Sequence, residues 1–324
     1  MMTERSRGTY YLQQAEPIEL KYEVPSGLAL NQNGAEEFAH GLQQIISMFG
    51  NELNPWVQSM GGQGYSEIAA ISQYMFLTFI GATSQQEIDR FSRSGFPQKA
   101  HLVWRIVSAL DDVADSGGLR FPGSIQDVTD SEGVSIARMI DEFTRILGFP
   151  LLGKWMAEQI LSSASRHETN NQRTFDQAVK SKQKTTGMFT AAGVLAVWPY
   201  FLKTFPSKTL HASLPHIMRQ AVSGSLIAQV IDDLVDLPRD LARSGSSSLV
   251  IAALCDAEEL DRVRQLSANT PVSVAVVLNE ELKAGDRLLQ FYLNQRKNIS
   301  PAFTPMLNYF DHQFLFSRAR NVNY

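Results

Sequence analysis

The chain has 324 residues, of which 44% are hydrophobic, and it carries a net charge of −4 and a single cysteine, Cys255. The apolar fraction is ample for a sizeable core, and the length alone allows one large domain or two. The mildly acidic balance argues against a nucleic-acid partner, which usually needs a basic face, and one cysteine excludes a disulfide framework within the chain.

Residues 1–33 predict an extended or partly disordered arm, because they are polar and interrupted by Pro17 and Pro25. This arm has no apolar central region of the kind found in a signal peptide. The longest strongly apolar stretch, Thr190–Leu202, contains Pro199 and is shorter than the roughly 20 residues that a membrane span requires. We therefore expect a cytoplasmic protein without a membrane span.

Helical periodicity extends through residues 34–324. Apolar residues recur at spacings of three and four, and Gly, Pro and Ser clusters separate the periodic segments. No strand ladder or heptad run interrupts them. Helices are predicted over Glu36–Met48, Tyr65–Ile80, Lys99–Asp115, Val134–Leu147, Leu151–Ala164, Asp176–Leu202, Leu214–Leu237, Ala257–Leu266, Val272–Gln295 and Pro301–Arg318. The pattern predicts an all-α fold with one domain over residues 34–324.

A first acidic cluster ends one of these helices, in the sequence Asp111-Asp112-Val113-Ala114-Asp115. Asp111 and Asp115 are four residues apart, so their carboxylates share a helix face and repel each other. A divalent cation removes that repulsion, and Mg²⁺ prefers oxygen ligands of this kind, with water and phosphate completing its octahedron. A solvated acidic helix end explains the same residues equally well, so this cluster alone does not decide the function.

A second acidic cluster repeats the spacing in Asp232-Asp233-Leu234-Val235-Asp236, and Asp240 follows one step later. The apolar residues that precede it predict a helix that is buried before it reaches the carboxylates. Two such clusters can bind three Mg²⁺ ions around a diphosphate, which allows a C–O bond to break heterolytically. The apolar helix walls would then exclude water from the cation that forms.

A basic segment, Lys180-Ser181-Lys182-Gln183-Lys184-Thr185-Thr186-Gly187, lies between the two clusters. By itself it is an ordinary basic helix turn. Beside two aspartate clusters it supplies cations for a diphosphate.

The order of these motifs resembles that of the trans-isoprenyl diphosphate synthases and of the class I terpene synthases that share their fold. The first cluster matches their Asp-Asp-x-x-Asp motif, and Arg120 falls where the first arginine of the following Arg-Arg-Gly belongs. Lys184 and Thr185 match the Lys-Thr of the family, and Gln229 with the second cluster matches its Gln-x-x-Asp-Asp-x-x-Asp. The resemblance covers residues 61–245.

This resemblance implies a class I terpenoid synthase helical bundle with a central active-site cavity. It also implies an enzyme that holds three Mg²⁺ ions through Asp111, Asp112, Asp115, Asp232, Asp233 and Asp236. Catalytic roles would fall on Asp111, Asp112, Asp232 and Asp233, and the diphosphate would be bound by Arg120, Lys182, Lys184, Thr185 and Gln229. Arg105 precedes Asp112 by seven residues, so it would lie near the same helix face and contact Asp112 or the diphosphate; a helix-surface arginine is the alternative.

Departures from the family pattern concern the anchors for isopentenyl diphosphate, the unit that extends the chain. The early Gly-Gly-Lys is replaced by Gly61-Gly62-Gln63, the second arginine of Arg-Arg-Gly is Phe121, and the later Gly-Lys is Gly245-Ser246. Neutral side chains cannot provide the charge-assisted bonds that hold a diphosphate tightly. The expected function is therefore a terpene cyclase acting on a complete linear prenyl diphosphate, with farnesyl diphosphate preferred and geranylgeranyl diphosphate second. The departures look like those of humulene-forming sesquiterpene cyclases.

Two alternatives stay open at this point. One is a prenyl diphosphate synthase with unusual anchors, and the other is a non-catalytic subunit of a heteromeric prenyl synthase. Relatives of this superfamily usually pair as helical homodimers, so the resemblance also implies a possible homodimer.

Overall fold

The computed structural model describes residues 135–147, 174–204, 208–242, 248–254, 256–269 and 272–316, together with scattered positions between 28 and 105. Of the described part, 87% is helical and none of it forms a strand, which confirms the all-α prediction for this part of the chain. None of its helices is both long and apolar enough to cross a membrane. The single domain and the central cavity stay predictions.

Nine helices have defined bounds within the described ranges. They are α1 (Ile136–Leu147), α2 (Phe175–Thr204), α3 (Lys208–Val235), α4 (Leu237–Ala242), α5 (Leu249–Ala253), α6 (Ala257–Asn269), α7 (Val274–Asn279), α8 (Lys283–Arg296) and α9 (Thr304–Phe316). A 3₁₀ turn, Pro301–Phe303, precedes α9.

The two longest described helices, α2 and α3, correspond to the predicted helices Asp176–Leu202 and Leu214–Leu237. Thr174 and Gln177 form a reciprocal cap at the start of α2, where each side chain accepts a hydrogen bond from the backbone N–H of the other residue. The start of α3 lies six residues before the predicted one, and the helix continues through the exposed Pro215. Proline removes one backbone hydrogen bond from a helix interior, so a boundary was expected there.

The predicted helix Val272–Gln295 is two helices in the structure. Ser273 caps the first of them, α7, by accepting a hydrogen bond from Val276 N. Glu281, with a φ of 57°, adopts the left-handed conformation between α7 and α8 and so interrupts the helical path. The prediction of one continuous helix was wrong. The break falls at a glutamate, so neither glycine nor proline marks it in the sequence.

The chain divides into two compact units, and the described residues of 1–39, 169–187 and 219–324 make up the first. In this unit, helical residues near the N-terminus pack on α9. Phe38 is fully buried, and its ring centroid lies 5.1 Å from that of Tyr309. A Cβ at Gly34 would collide with Nδ2 of Asn308, so glycine permits the close approach. The first unit therefore joins the beginning of the chain to its last described helix.

The second unit consists of the described residues of 40–168 and 188–218. Its buried apolar side chains are Leu102, Met139, Val194, Trp198 and Ile217.

A buried polar group fastens α8 to α9 in the first unit. The side chain of Asp311 is fully buried and accepts hydrogen bonds from Tyr292 Oη at 2.7 Å and from Arg296 Nε at 2.9 Å. A second polar contact joins α3 to α8, where Ser223 Oγ donates to Gln295 Oε1 at 3.1 Å. Because these buried groups are paired, they hold the C-terminal helices and α3 in one arrangement.

Candidate functional site

The second acidic cluster lies at the C-terminal end of α3, after an apolar run that is almost wholly buried. Leu226, Ile227, Val230, Ile231 and Leu234 are each at most 2% exposed. The helix ends at Val235, so the cluster extends across the C-terminal end of α3. A helix C-terminus carries a partial negative charge, so carboxylates there raise the local negative potential.

Asp232 and Asp236 are the two carboxylates of the cluster that reach the surface. Asp232 is exposed and Asp236 is half-buried. The backbone N–H of Asp236 donates to the carbonyl of Asp232 at 2.9 Å, so the two residues lie one helical turn apart on the same side of the chain. Asp240 follows one turn later, within α4, and is buried. Asp232 and Asp236 are thus suited to share a cation.

Asp233 faces inward, unlike its neighbour Asp232. Its side chain is 6% exposed. One carboxylate oxygen, Oδ2, accepts a hydrogen bond from the backbone N–H of Leu249 at 2.6 Å, and the other, Oδ1, accepts one from Gln229 Nε2 at 2.9 Å. Both oxygens of Asp233 therefore have partners within the protein.

Side chains accept the first three backbone N–H groups of α5. Asp233 accepts the N–H of Leu249, while Ser248 Oγ accepts those of Val250 at 3.2 Å and Ile251 at 3.3 Å. The serines before α5 were predicted only as a break between helices, and Ser248 was not identified as a helix cap. The available signal was a serine directly before the apolar run Leu249–Ala253.

The lysines predicted to bind diphosphate lie on different sides of α2. Lys182 is 7% exposed and lies on the same side as the buried Ala178, whereas Lys184 is exposed. Two residues along a helix are about 200° apart around its axis, so the two ammonium groups leave the helix in nearly opposite directions. Thr185 lies on α2 next to Lys184, and its backbone is helical.

Arg105, the arginine predicted to contact Asp112 or the diphosphate, is half-buried in the second unit, one helical turn after His101. Burial and, to a smaller extent, the positive charge of Arg105 lower the pKa of His101 to about 3. Gln229, also predicted to bind diphosphate, instead donates to Asp233 in the structure.

The first acidic cluster lies outside the described residues, and so does the arginine predicted to assist it. These predicted site residues are Asp111, Asp112, Asp115 and Arg120.

Within the described ranges, no group of three or more His, Cys, Asp or Glu side chains converges as a metal site. Magnesium at phosphate-handling sites is commonly held by one or two carboxylates, with water and phosphate as its other ligands. Asp232 and Asp236 fit that requirement, since both are accessible and one turn apart. Asp233 fits it poorly, because it is buried and already accepts two hydrogen bonds.

No family model matches the chain, and no curated protein or solved structure matches it either.

Proposed function

We propose that the protein is a Mg²⁺-dependent class I terpene cyclase. It would ionise a linear allylic prenyl diphosphate, preferably farnesyl diphosphate and secondarily geranylgeranyl diphosphate. The allylic C–O bond breaks with its electron pair remaining on the diphosphate, the carbocation cyclises, and loss of a proton gives an olefin. The resemblance of the two aspartate clusters and the intervening lysine segment to the class I superfamily is the origin of this proposal.

The observation that carries the proposal furthest is the pair Asp232 and Asp236, which emerges accessible from the end of the buried run of α3. The all-α architecture of the described chain agrees with the proposal.

Each of the predicted site residues has a role in the proposed reaction. Asp232 and Asp236 would hold Mg²⁺, and the resemblance implies the same role for Asp111, Asp112 and Asp115 of the first cluster. Bound Mg²⁺ supplies positive charge that stabilises the departing diphosphate. Lys184, which is exposed, and Arg120 would bind the diphosphate oxygens through charge-assisted hydrogen bonds. Lys182 is buried on the other side of α2. It would therefore bind diphosphate only from the packed face of that helix.

Incubation of the purified protein with each of the two diphosphates and Mg²⁺, followed by gas chromatography, tests the proposal. We expect a cyclic hydrocarbon or terpene alcohol from at least one substrate, and none when EDTA is present. Asp232→Ala should lower turnover by two orders of magnitude or more, on the order of 3 kcal/mol in the barrier, because it removes a ligand that acts on the leaving group.

Radiolabelled isopentenyl diphosphate supplied with an allylic primer provides the opposing test. Incorporation of label into longer diphosphates would identify a prenyl diphosphate synthase instead. No product from either substrate, with a folded protein, would contradict the cyclase proposal. Activity that appears only with a co-expressed synthase would support the non-catalytic subunit.

A further inference from the structure

We propose that Asp233 is a positioning residue that ties α3 to the first turn of α5, and that it is not a metal ligand. By this contact it would fix the part of α3 from which Asp232 and Asp236 project. The catalytic consequence rests on the proposed function, whereas the link between the two helices stands without it.

The contacts of Asp233 leave little room for a cation. Each of its oxygens accepts a hydrogen bond, one from Leu249 N and one from Gln229 Nε2, and the side chain is 6% exposed. Magnesium demands near-octahedral geometry and usually retains several water molecules. A carboxylate that is 6% exposed leaves little space for a hydrated ion.

The link closes a loop in the chain. Residues 233 and 249 are sixteen positions apart, and the chain between them passes through α4. Leu249, Val250 and Ala253 of α5 are almost completely buried, so α5 is packed into the first unit. The bond from Leu249 N to Asp233 therefore fastens the end of α3 to a packed element.

Adjacent aspartates thus divide two tasks between them. Successive residues on a helix point about 100° apart, so Asp232 is directed outward when Asp233 is directed toward α5. Gln229, one turn before Asp233, donates to the same carboxylate and is held by it. If the hydrogen bond between Asp233 and Leu249 N is lost, we expect the backbone that carries Asp232 and Asp236 to become less rigid.

Three substitutions at the cluster separate a positioning role from ligation. Asp233→Ala removes both contacts. Asp233→Asn keeps the shape, because its Oδ1 can accept from Leu249 N and its Nδ2 can donate to Gln229 after the glutamine amide turns over. Asp232→Asn removes an outward carboxylate. Ser248→Ala is the matched structural control, since it weakens the same turn of α5 without changing the cluster.

Melting of the metal-free protein and hydrogen exchange at the Leu249 amide test the link directly. Asp233→Ala should lower the melting temperature by about 3 °C or more, because a buried N–H loses its acceptor. It should also accelerate exchange at Leu249 roughly tenfold or more. Asp233→Asn should recover most of both effects, and Asp232→Asn should show neither. Unchanged exchange at Leu249 in Asp233→Ala would overturn the proposal.

Magnesium dependence tests the second half of the proposal. Two Mg²⁺ concentrations are measured. The first gives half of the maximal rise in melting temperature in the presence of inorganic diphosphate, and the second gives half of the maximal turnover. We expect both concentrations to rise at least tenfold in Asp232→Asn and to stay within about twofold of the wild type in Asp233→Asn. Asp233→Ala should lower kcat more than Ser248→Ala does at a temperature where both are folded.

A rise in Asp233→Asn equal to that in Asp232→Asn would show that Asp233 is a ligand and would overturn the assignment. If no prenyl diphosphate is turned over by the wild type, the cyclase proposal fails. The melting and exchange results would still decide the link between α3 and α5, so the two failures are distinguishable.

Discussion

Asp311 is fully buried in the first unit and accepts hydrogen bonds from Tyr292 and Arg296. Burial raises the pKa of Tyr292 well above its ordinary value of 10.0, and the negative charge of Asp311 and the hydrogen bond to it act in the same direction. The folded protein therefore favours the protonated phenol. Arg296 and Asp311 form an ion pair. Removing one of the two charges would be costly, since the other would remain without compensation.

This raised pKa predicts an alkaline loss of stability. Tyr292 contributes fully below about pH 10, where the phenol is protonated in both states. Above that pH the unfolded chain releases the proton and the folded chain retains it, so stability falls by up to about 1.4 kcal/mol per pH unit until the raised pKa is reached. Urea denaturation between pH 8 and pH 11 measures this slope.

Tyr292→Phe is the control for the alkaline prediction. It should be about 1–3 kcal/mol less stable than the wild type at pH 8, because Asp311 loses a donor. Above pH 10 its stability should fall less steeply, since the remaining tyrosines are common to both proteins. Equal slopes in the two proteins would contradict the assignment of the alkaline loss to Tyr292.

At the scale of elements, α7 and α8 pack so closely that a methyl group has no space between them. A Cβ built on Gly285 of α8 would lie 2.9 Å from Leu278 Cδ2 and 3.3 Å from Leu278 Cα. Gly→Ala in a helix interior ordinarily stabilises by up to about 1 kcal/mol. Here we expect Gly285→Ala to destabilise by about 1–3 kcal/mol, because the backbone of α7 cannot move aside. The denaturant midpoint measures the change.

Gly187 of α2 provides the matched comparison. Among the described residues, a Cβ at Gly187 would meet only Val222 Cγ1, at 3.5 Å, which is an ordinary van der Waals distance. Gly187→Ala should therefore leave stability unchanged or raise it by up to about 1 kcal/mol. Stabilisation by both substitutions would show that helix propensity, rather than packing, determines their effect on stability.

The long helices could be predicted from the sequence, whereas their interruptions and caps could not. The apolar spacing of α2 and α3 extends over many turns and gives a strong signal. The break at Glu281 has no such signal, since glutamate is common within helices and the local pattern does not mark it for a left-handed φ. The same limit applies to α5, whose five residues are too few to show a period.

The sequence also could not predict which aspartate side chains of the second acidic cluster point inward and which point outward. Asp232 and Asp233 are neighbours of the same type, and the local pattern treats them alike. Their separate environments depend on α5, which reaches Asp233 through Leu249. The position of the cluster at the end of a buried helix could be predicted from the apolar residues before it, but the division of roles within it depends on tertiary packing.

At the scale of the whole molecule, we expect a homodimer, as the resemblance to the superfamily implies. Light scattering at micromolar concentration should then give twice the chain mass of 36.1 kDa, which is 72.2 kDa. The mass should not change when Mg²⁺ is removed, because the ions are proposed to lie within each chain. A mass of one chain at this concentration would refute the dimer.

The packing of Phe38 on Tyr309 has a consequence for the synthesis of the protein on the ribosome. The two residues are 271 positions apart, since 309 − 38 = 271. At about 5–20 residues per second, translation takes roughly 14–54 s to pass from one to the other. During that interval the aromatic ring of Phe38 has no α9 to cover it, and the first unit cannot close. In the nascent chain this apolar surface therefore stays uncovered until α9 has been synthesised.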